Sequence, residues 1–188
     1  MIRRFFLSFC FLLLLSPASH ALAGDGIEVI QSSLESTEEG YRLKAEFALE
    51  LTQTLEDALM RGVPLYFTTQ VEVSRPRWYW FDEKSITATR SIRVSYNVLT
   101  KQYRVSTDGS LHRNFGKLED VIALLRRPSR WVIADNAALK RGEMYTVALR
   151  MALDTSQLPK PIQISVISGG DWQLSSDWSR FSFKAEGK

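Results

Sequence analysis

The segment Arg75–Phe81, RPRWYWF, holds the densest set of side chains that could bind a partner. Two arginines flank a proline, and four aromatic residues follow without interruption. Arginine, tyrosine and tryptophan often anchor protein interfaces, because each combines a large apolar area with a polar or charged group. The sequence therefore predicts a contact face here. Its residues are Arg75 in a supporting position, Arg77, Tyr79 and Phe81.

The orientation of that face depends on the strand before it. Val63 to Arg75 alternates with a period of two, which predicts a strand whose odd-numbered residues face the core. Pro76 cannot donate to a strand ladder and therefore favours a bulge. A bulge at this position would turn Trp78 and Trp80 inward and the contact face outward.

The bulge would place the segment in one long hairpin. Asp82 to Lys84 would form the tip and Ser85 would begin the return strand. Each arm would hold about ten residues or more, against a usual strand length of about five or six. The structural alternative uses the same residues differently. The two tryptophans would close one end of the core, and an arginine would pair with Asp82 or Glu83.

Few residues could support catalysis or bind a metal. After the first 23 residues the chain has no cysteine and a single histidine, His112, and it has no G-x-S-x-G motif. Nucleophilic catalysis needs a nucleophile, a base and an orienting group. Zinc sites need several Cys or His ligands, and calcium sites need clustered oxygens. We therefore expect no cofactor, and we expect His112 to be a polar residue on a strand face.

Paired carboxylates provide the best interpretation as an enzyme, one that would cleave cell-wall sugar or peptide. Glycosidases use two such groups, and sugars stack on tryptophan. The candidate residues are Asp135, Asp171 and Asp177, beside Trp131, Trp172 and Trp178. The alternative is that these tryptophans are core residues. Trp172 and Leu174 would then alternate along a buried strand.

A basic cluster, Arg126, Arg127 and Arg130, follows a predicted helix. It could contact an acidic partner or anionic lipid headgroups. The structural alternative is a solvated helix end whose cations interact favourably with the helix dipole.

The N-terminal segment has the pattern of a secretory signal peptide, predicted to span residues 1–23. Arg3 and Arg4 precede the apolar run Phe5–Leu15, and Ala21 and Ala23 form a small-x-small cleavage site before Gly24. The run is shorter than the 20 or so residues that a membrane span needs. No later segment is apolar enough to span, so we expect no stable membrane insertion.

Removal of this segment leaves an almost neutral chain. Of 24 Lys and Arg residues, Arg3 and Arg4 are lost, leaving 22 against 21 Asp and Glu, a net charge of +1. Global attraction to a polyanion is therefore excluded, and no nucleic-acid partner is expected. Residues 24–188 are long enough for a single β-rich domain. Without disulfides, an exported domain must be stabilised by packing.

Period-two alternation dominates the predicted secondary structure. It recurs around residues 41–50, 65–75, 86–96 and 145–153, with further strands over 27–34 and 162–167. Two short helices interrupt the strands, one over Leu55–Arg61 and one from Leu118 to Arg127. We predict a mainly β protein: an antiparallel β-sandwich, immunoglobulin-like in general architecture, with two short helical crossovers. The alternative is a half-open β-barrel.

Two turns can be placed from the apolar pattern. Pairing Val98 with Tyr103 on the core face would leave a loop over 99–102. A three-residue loop over 107–109 would pair Val105 with Leu111 and keep apolar partners together.

Four motifs together resemble an exported proteobacterial family. They are GVPLYF at 62–67, RPRWYWFDE at 75–83, LPKPIQ at 158–163 and DWQLSSDW at 171–178. The family is known as domain of unknown function 4390. The resemblance implies a Gram-negative envelope setting. It also implies that the family's genes often lie beside the genes of a nitrogen-regulation-like sensor kinase and its response regulator. It supplies no catalytic residues.

These observations predict an exported envelope protein of the periplasm that is not an enzyme. Its function would be that of an interaction module that binds an envelope protein. One form of that role is as an accessory protein of a two-component sensor kinase. It would be soluble in the periplasm or peripheral at the inner membrane. The alternatives are an enzyme or binding protein for cell-wall material, and a carrier of lipid or another small hydrophobic ligand.

Overall fold

The computed structural model describes residues 26–75, 83–108, 112–128, 131–163 and 170–186. Its strands and helices follow in chain order. They are β1 (Ile27–Thr37), β2 (Gly40–Leu49), α1 (Gln53–Met60), β3 (Leu65–Arg75), β4 (Glu83–Asn97), β5 (Gln102–Thr107), β6 (Arg113–Phe115), α2 (Leu118–Arg126), β7 (Trp131–Ala134), β8 (Met144–Leu153) and β9 (Ser179–Lys184). Short 3-10 turns occupy Thr155–Gln157 and Gly170–Trp172.

The strands form two antiparallel sheets. A three-stranded sheet has the order β1-β2-β7, and a six-stranded sheet has the order β6-β5-β4-β3-β8-β9. The chain passes between the sheets through α1, which joins β2 to β3, and through α2, which joins β6 to β7. The predicted sandwich with two short helical crossovers is confirmed. Among the described strands, the sheets do not close into a barrel.

Alternating burial builds the core between the sheets. In β3 the odd-numbered residues from Leu65 to Val73 are buried, while the even-numbered residues are partly exposed. The same alternation holds in β8, whose buried residues run from Tyr145 to Leu153. Phe47 of β2 closes against these rows from the other sheet and is almost fully buried. Burial of such apolar rows stabilises the sandwich by about 25 cal/mol for each Å² removed from water.

Both predicted helices are found, although α1 begins at Gln53 rather than at Leu55 and each helix ends one residue before its predicted end. The Thr52 side chain caps α1 by accepting a hydrogen bond from the Leu55 amide at 3.3 Å, and Gly62 follows with a φ of 89°. In α2, Val121 and Leu125 are buried and face the core. Glu119 lies in its first turn, where the helix dipole favours a negative charge.

Both predicted turns are wrong in register. In the first hairpin Tyr96 pairs with Tyr103 and Asn97 with Gln102, so the turn covers 98–101. The Asn97 side chain accepts hydrogen bonds from the amides of the second and third turn residues, at 3.0 and 3.1 Å. This local cap, together with contact between the two tyrosine rings, outweighs the burial of Val98, which stays 58% exposed.

The second turn is longer than predicted. Val105 pairs with Arg113 rather than with Leu111, which lies outside the described residues. Asp108, with a φ of 43°, is held by hydrogen bonds to Ser91. These bonds to β4 compete with the tight loop that the apolar pattern favours.

The predicted strand over 162–167 is also not found where it can be checked. Residues 160–163 are helical, and 164–169 lie outside the described part of the chain. A helical turn is available because Pro159 and Pro161 suit the start of a helix and cannot donate to a strand ladder.

Gly40 determines how closely the edge of the small sheet can approach. It opens β2 with a φ of 130°, and a Cβ atom built on it would collide with the carbonyl oxygen of Ala134 and lie 3.0 Å from Cγ1 of Val132. Both contacts belong to β7. A glycine is therefore required for β2 and β7 to pair.

We predict that Gly40→Ala lowers the free energy of unfolding by about 2 to 4 kcal/mol, because it adds both backbone strain and a collision. Gly116→Ala is the control, since a Cβ there meets no atom within 4 Å, and it should change stability by less than about 1 kcal/mol. Urea denaturation of both variants measures the difference. Equal losses would contradict the assigned role of Gly40.

Candidate interaction surface

The β3–β4 hairpin has arms as long as predicted, but its predicted tip is wrong, because Glu83 and Lys84 belong to β4. β3 has 11 residues and β4 has 15. Their pairing runs from Leu65 opposite Val94 to Arg75 opposite Glu83. The register shifts by one residue after Val73, where Ser85 of β4 has no partner. The irregularity therefore lies on the return strand, β4, opposite the residues of β3 that precede Pro76.

The predicted contact face falls mostly beyond what the structure describes. Arg77, Tyr79 and Phe81 lie outside the described residues, as do Trp78 and Trp80. Arg75 is described: it ends β3, is partly buried and stands opposite Glu83 in the backbone register. The orientation of the aromatic residues therefore remains a prediction.

One side of β4 is open near this end of the hairpin. β5 pairs only with Ile92–Asn97. Over 83–91, β4 has β3 on one side, and no described strand pairs with its other side. We name residues 83–91 the open edge of β4.

The direction of the backbone groups along the open edge follows from Ser91. Its amide donates to Asp108 Oδ1 at 3.0 Å, and its carbonyl accepts from the Asp108 amide at 3.2 Å. The backbone N–H and C=O groups of Ser91 therefore point away from β3. Because strand backbones repeat every second residue, Thr89 and Thr87 present their N–H and C=O groups in the same direction. Their side chains are exposed.

Arg90 connects the open edge to the other sheet. Its side chain is only 17% exposed, and its guanidinium lies 5.1 Å from the ring centroid of Trp131 in β7. Its Nε is 3.8 Å from Asp108 Oδ2. Burial lowers the pKa of the Arg90 guanidinium, and the nearby Asp108 carboxylate opposes that shift. An arginine remains charged under these conditions, so this contact is a cation–π pair inside the sandwich.

The pairing of Arg90 with Trp131 was not predicted from the sequence. Arg90 occupies a core-facing position of β4, in phase with Ile86 and Ile92. A cation at an apolar position of an alternating strand is a signal that it has a specific partner. That signal was available in the sequence, although its partner Trp131 was not.

Among the candidate carboxylates and tryptophans, Asp171, Trp131 and Trp178 have other contacts, while Asp135 and Asp177 are exposed. The main-chain carbonyl of Asp171 accepts a hydrogen bond from Thr52 Oγ1 at 2.9 Å, and its carboxylate is 3.3 Å from Thr54 Oγ1. Trp178 lies under the Arg150 guanidinium at 4.7 Å. Among the described residues, no group of three or more His, Cys, Asp or Glu side chains could hold a metal ion.

The C-terminal tryptophan pattern does not form the predicted buried strand. Trp172 lies in a 3-10 turn and is partly buried, while Leu174 is buried. The alternation is interrupted because Asp171 is fixed against the first turn of α1 by the threonine contacts. His112 is exposed and precedes β6.

The basic cluster after α2 has structural contacts. Arg126 donates from Nε and Nη2 to the carbonyl of Leu49, the last residue of β2, at 3.1 and 3.0 Å. Arg127 donates from Nε and Nη2 to Glu46 Oε1. Arg130 lies outside the described residues. The two described arginines therefore link the C-terminal end of α2 to β2 through hydrogen bonds.

The contacts define a β-sandwich protein whose larger sheet has a long, half-paired hairpin. The chain belongs to the family described as Domain of unknown function (DUF4390), whose model matches residues 24–182. No curated protein and no solved structure matches the chain. In the described part, no helix has the length and apolar character needed to cross a membrane.

We predict that Arg126→Ala costs about 1 to 2 kcal/mol of unfolding free energy, because the Leu49 carbonyl loses a charged donor. Arg127→Ala, the matched neighbour, removes an exposed ion pair and should cost about 0.5 kcal/mol or less. Urea denaturation of the two variants gives both values. A larger loss of unfolding free energy for Arg127→Ala than for Arg126→Ala would contradict this ranking of the two contacts.

Proposed function

We propose that this chain is an exported, non-catalytic interaction module that binds an extended segment of an envelope protein by strand addition. The observation that carries this proposal is the open edge of β4. It offers main-chain donors and acceptors on the strand that follows the predicted contact face in the chain. Strand addition obtains its affinity from main-chain hydrogen bonds and its specificity from side chains at alternate positions.

The chemistry of the open edge suits an incoming strand. The exposed side chains of Thr87 and Thr89 are β-branched and small, so a paired strand would meet little steric resistance. Natural edges are often blocked by charges, proline or strong bulges. Here the register irregularity at Ser85 and the charges of Glu83 and Lys84 lie at the far end, the side chain of Arg90 is turned into the sandwich, and residues 86–89 carry no charge or proline.

Arg90 makes the edge rigid. Its stacking on Trp131 ties the Ser91 end of the open edge to the opposite sheet, and its closeness to Asp108 ties the same end to the residue that follows β5. A partner strand would therefore bind a preformed template and lose less free energy to ordering than it would on a mobile one.

Export is supported by the N-terminal pattern. Arg3 and Arg4, the apolar run and Ala21-Leu22-Ala23 have the order of a cleavable leader. The family match begins at residue 24, the residue that follows the proposed cleavage site. The partner that best fits the family's gene neighbourhood is the external part of a membrane sensor kinase, for which this chain would be an accessory.

We predict that a photo-crosslinking residue at position 89 gives a discrete adduct in cells, and that Thr87→Pro abolishes it. Proline removes the outward N–H and is tolerated on an unpaired strand edge, so the protein should still fold. Thr87→Ala keeps the N–H and should keep the adduct. The measurement is the adduct yield by mass spectrometry, with the melting temperature of each variant as the check on folding.

A probe at Ser182, exposed on β9, is the control position and should give no protein adduct. A further probe at Tyr79 tests whether the predicted contact face belongs to the same interface. An adduct that is still formed by a folded Thr87→Pro variant would contradict binding by strand addition. An adduct between two copies of this chain would replace the proposed partner with self-pairing.

We predict that the mature protein recovered from a periplasmic extract begins at Gly24. Ala23→Arg places a bulky cation where the cleavage site needs a small residue, so the uncleaved chain should accumulate at the membrane. Intact-mass measurement distinguishes the two forms. Full-length protein in the cytoplasm of wild-type cells would contradict export.

A further inference from the structure

The outer face of the six-stranded sheet has a concentration of positive charge. Its described cations come from four of its strands. They are Arg93 on β4, Arg104 on β5, Arg150 on β8, and Arg180 and Lys184 on β9. We name these five residues the basic face. Four of them are exposed and Arg150 is partly exposed.

Strand register places these cations on one surface. Arg93 stands opposite Tyr66, Arg104 opposite Ser95, and Arg150 opposite Gln70, all at positions in phase with the outward side. From β5 to β9 the sheet covers four strand spacings, or about 19 Å. Among the described strand residues of this face, Glu72 is the single acid. Asp154 and Asp177 lie in the segments beside it.

The charge of the molecule is therefore divided between its sides. The chain without its first 23 residues has a net charge of +1, so the excess of cations on one face requires an excess of acids elsewhere. The first turns of the two helices carry some of them, including Glu56, Glu119 and Asp120. Such a division orients a protein over a charged surface.

The composition of the basic face favours a lipid surface over a protein partner. Protein interfaces usually have an apolar centre from which charges are depleted. In the described part of the chain, the exposed large apolar side chains are Ile30, Met60, Val98, Leu99 and Met144, and of these only Met144 lies on this face, at its rim. The remaining positions are largely serine, threonine and arginine, which can stay hydrated beside phosphate groups.

Two aromatic residues on the same face strengthen this assignment. The Arg93 guanidinium lies 5.9 Å from the Tyr66 ring, and Arg150 lies 4.7 Å from the Trp178 ring while donating from Nε to Gln70 Oε1 at 2.7 Å. Tyrosine and tryptophan favour the headgroup region of a bilayer. Arginine can bind phosphate while it stacks on an aromatic ring.

We infer that the basic face docks on a bilayer surface that contains anionic phospholipids. The occupant is assigned from charge complementarity: a broad, hydrated array of arginines faces a plane of phosphate groups. The contact is peripheral and weakens with salt, because exposed charges act over about one Debye length. It does not use the open edge of β4, so failure of either proposal leaves the other standing.

The test uses purified mature protein and sedimentation with two kinds of vesicle. One kind is phosphatidylcholine alone, and the other contains phosphatidylglycerol and phosphatidylcholine in equal parts. We expect binding to the anionic vesicles only, with loss at high salt. The double variant Arg104→Glu, Arg180→Glu should bind at least about twentyfold more weakly, because each surface cation contributes about a fivefold effect.

The matched control is the double variant Arg61→Glu, Lys117→Glu, which makes the same charge change at exposed sites beside the two helices. It should keep most of the binding. Equal loss in both double variants would mean that only net charge matters and would overturn the assigned face. Equal binding to both vesicles, or binding to neither with retention on poly-glutamate beads, would overturn the lipid assignment, the latter in favour of an acidic peptide.

Discussion

The burial of alternate residues along β3 is the constraint on which the rest of the sandwich depends. β3 lies at the centre of the large sheet and pairs with β4 on one side and β8 on the other. A slip of one residue would move Phe67, Val71 and Val73 from the core to solvent. The apolar row therefore fixes the register of both neighbours. It also decides that Arg90 points into the sandwich while Arg93 and Arg150 point out of it.

The two proposed kinds of recognition both depend on that one register, and they act in different directions. The open edge of β4 presents main-chain groups in the plane of the sheet, because β5 is too short to cover it. The basic face presents side chains perpendicular to that plane. The two surfaces share β4 but use different atoms of it. One molecule could therefore hold an extended peptide while resting on a charged surface, without either contact displacing the other.

Sequence reasoning succeeded wherever burial alone decides the structure. The alternation in β3 and β8 and the two short helices all reflect local rules, and the sequence predicted each of them. The sandwich followed because helices that interrupt strands must carry the chain between layers. The family resemblance was likewise confirmed over residues 24–182.

It failed where a polar side chain competes with burial. Asn97 caps the first hairpin turn and leaves Val98 in solvent, and Asp108 binds Ser91 and lengthens the second turn. Neither effect is visible in an apolar pattern. For the predicted contact face, the sequence placed the hairpin tip at Asp82 to Lys84, whereas Glu83 and Lys84 already belong to β4, with Glu83 opposite Arg75. The pairing of Arg90 with Trp131 required contact between residues far apart in the chain, which periodicity cannot supply.

The short strand β7 has a consequence for how the molecule assembles. β1 and β2 form a hairpin of neighbours, but the third strand of their sheet is Trp131–Ala134, which arrives only after most of the large sheet has been made. Its four residues must pair with β2 across the whole segment that forms β3 to β6, and Gly40 must leave room for them. Contacts between distant segments slow folding, since the entropy of loop closure is lost before the contacts form. The pairing of β7 with β2 therefore forms late, and until it forms the edge of β2 at residues 41–43 lacks its second partner strand.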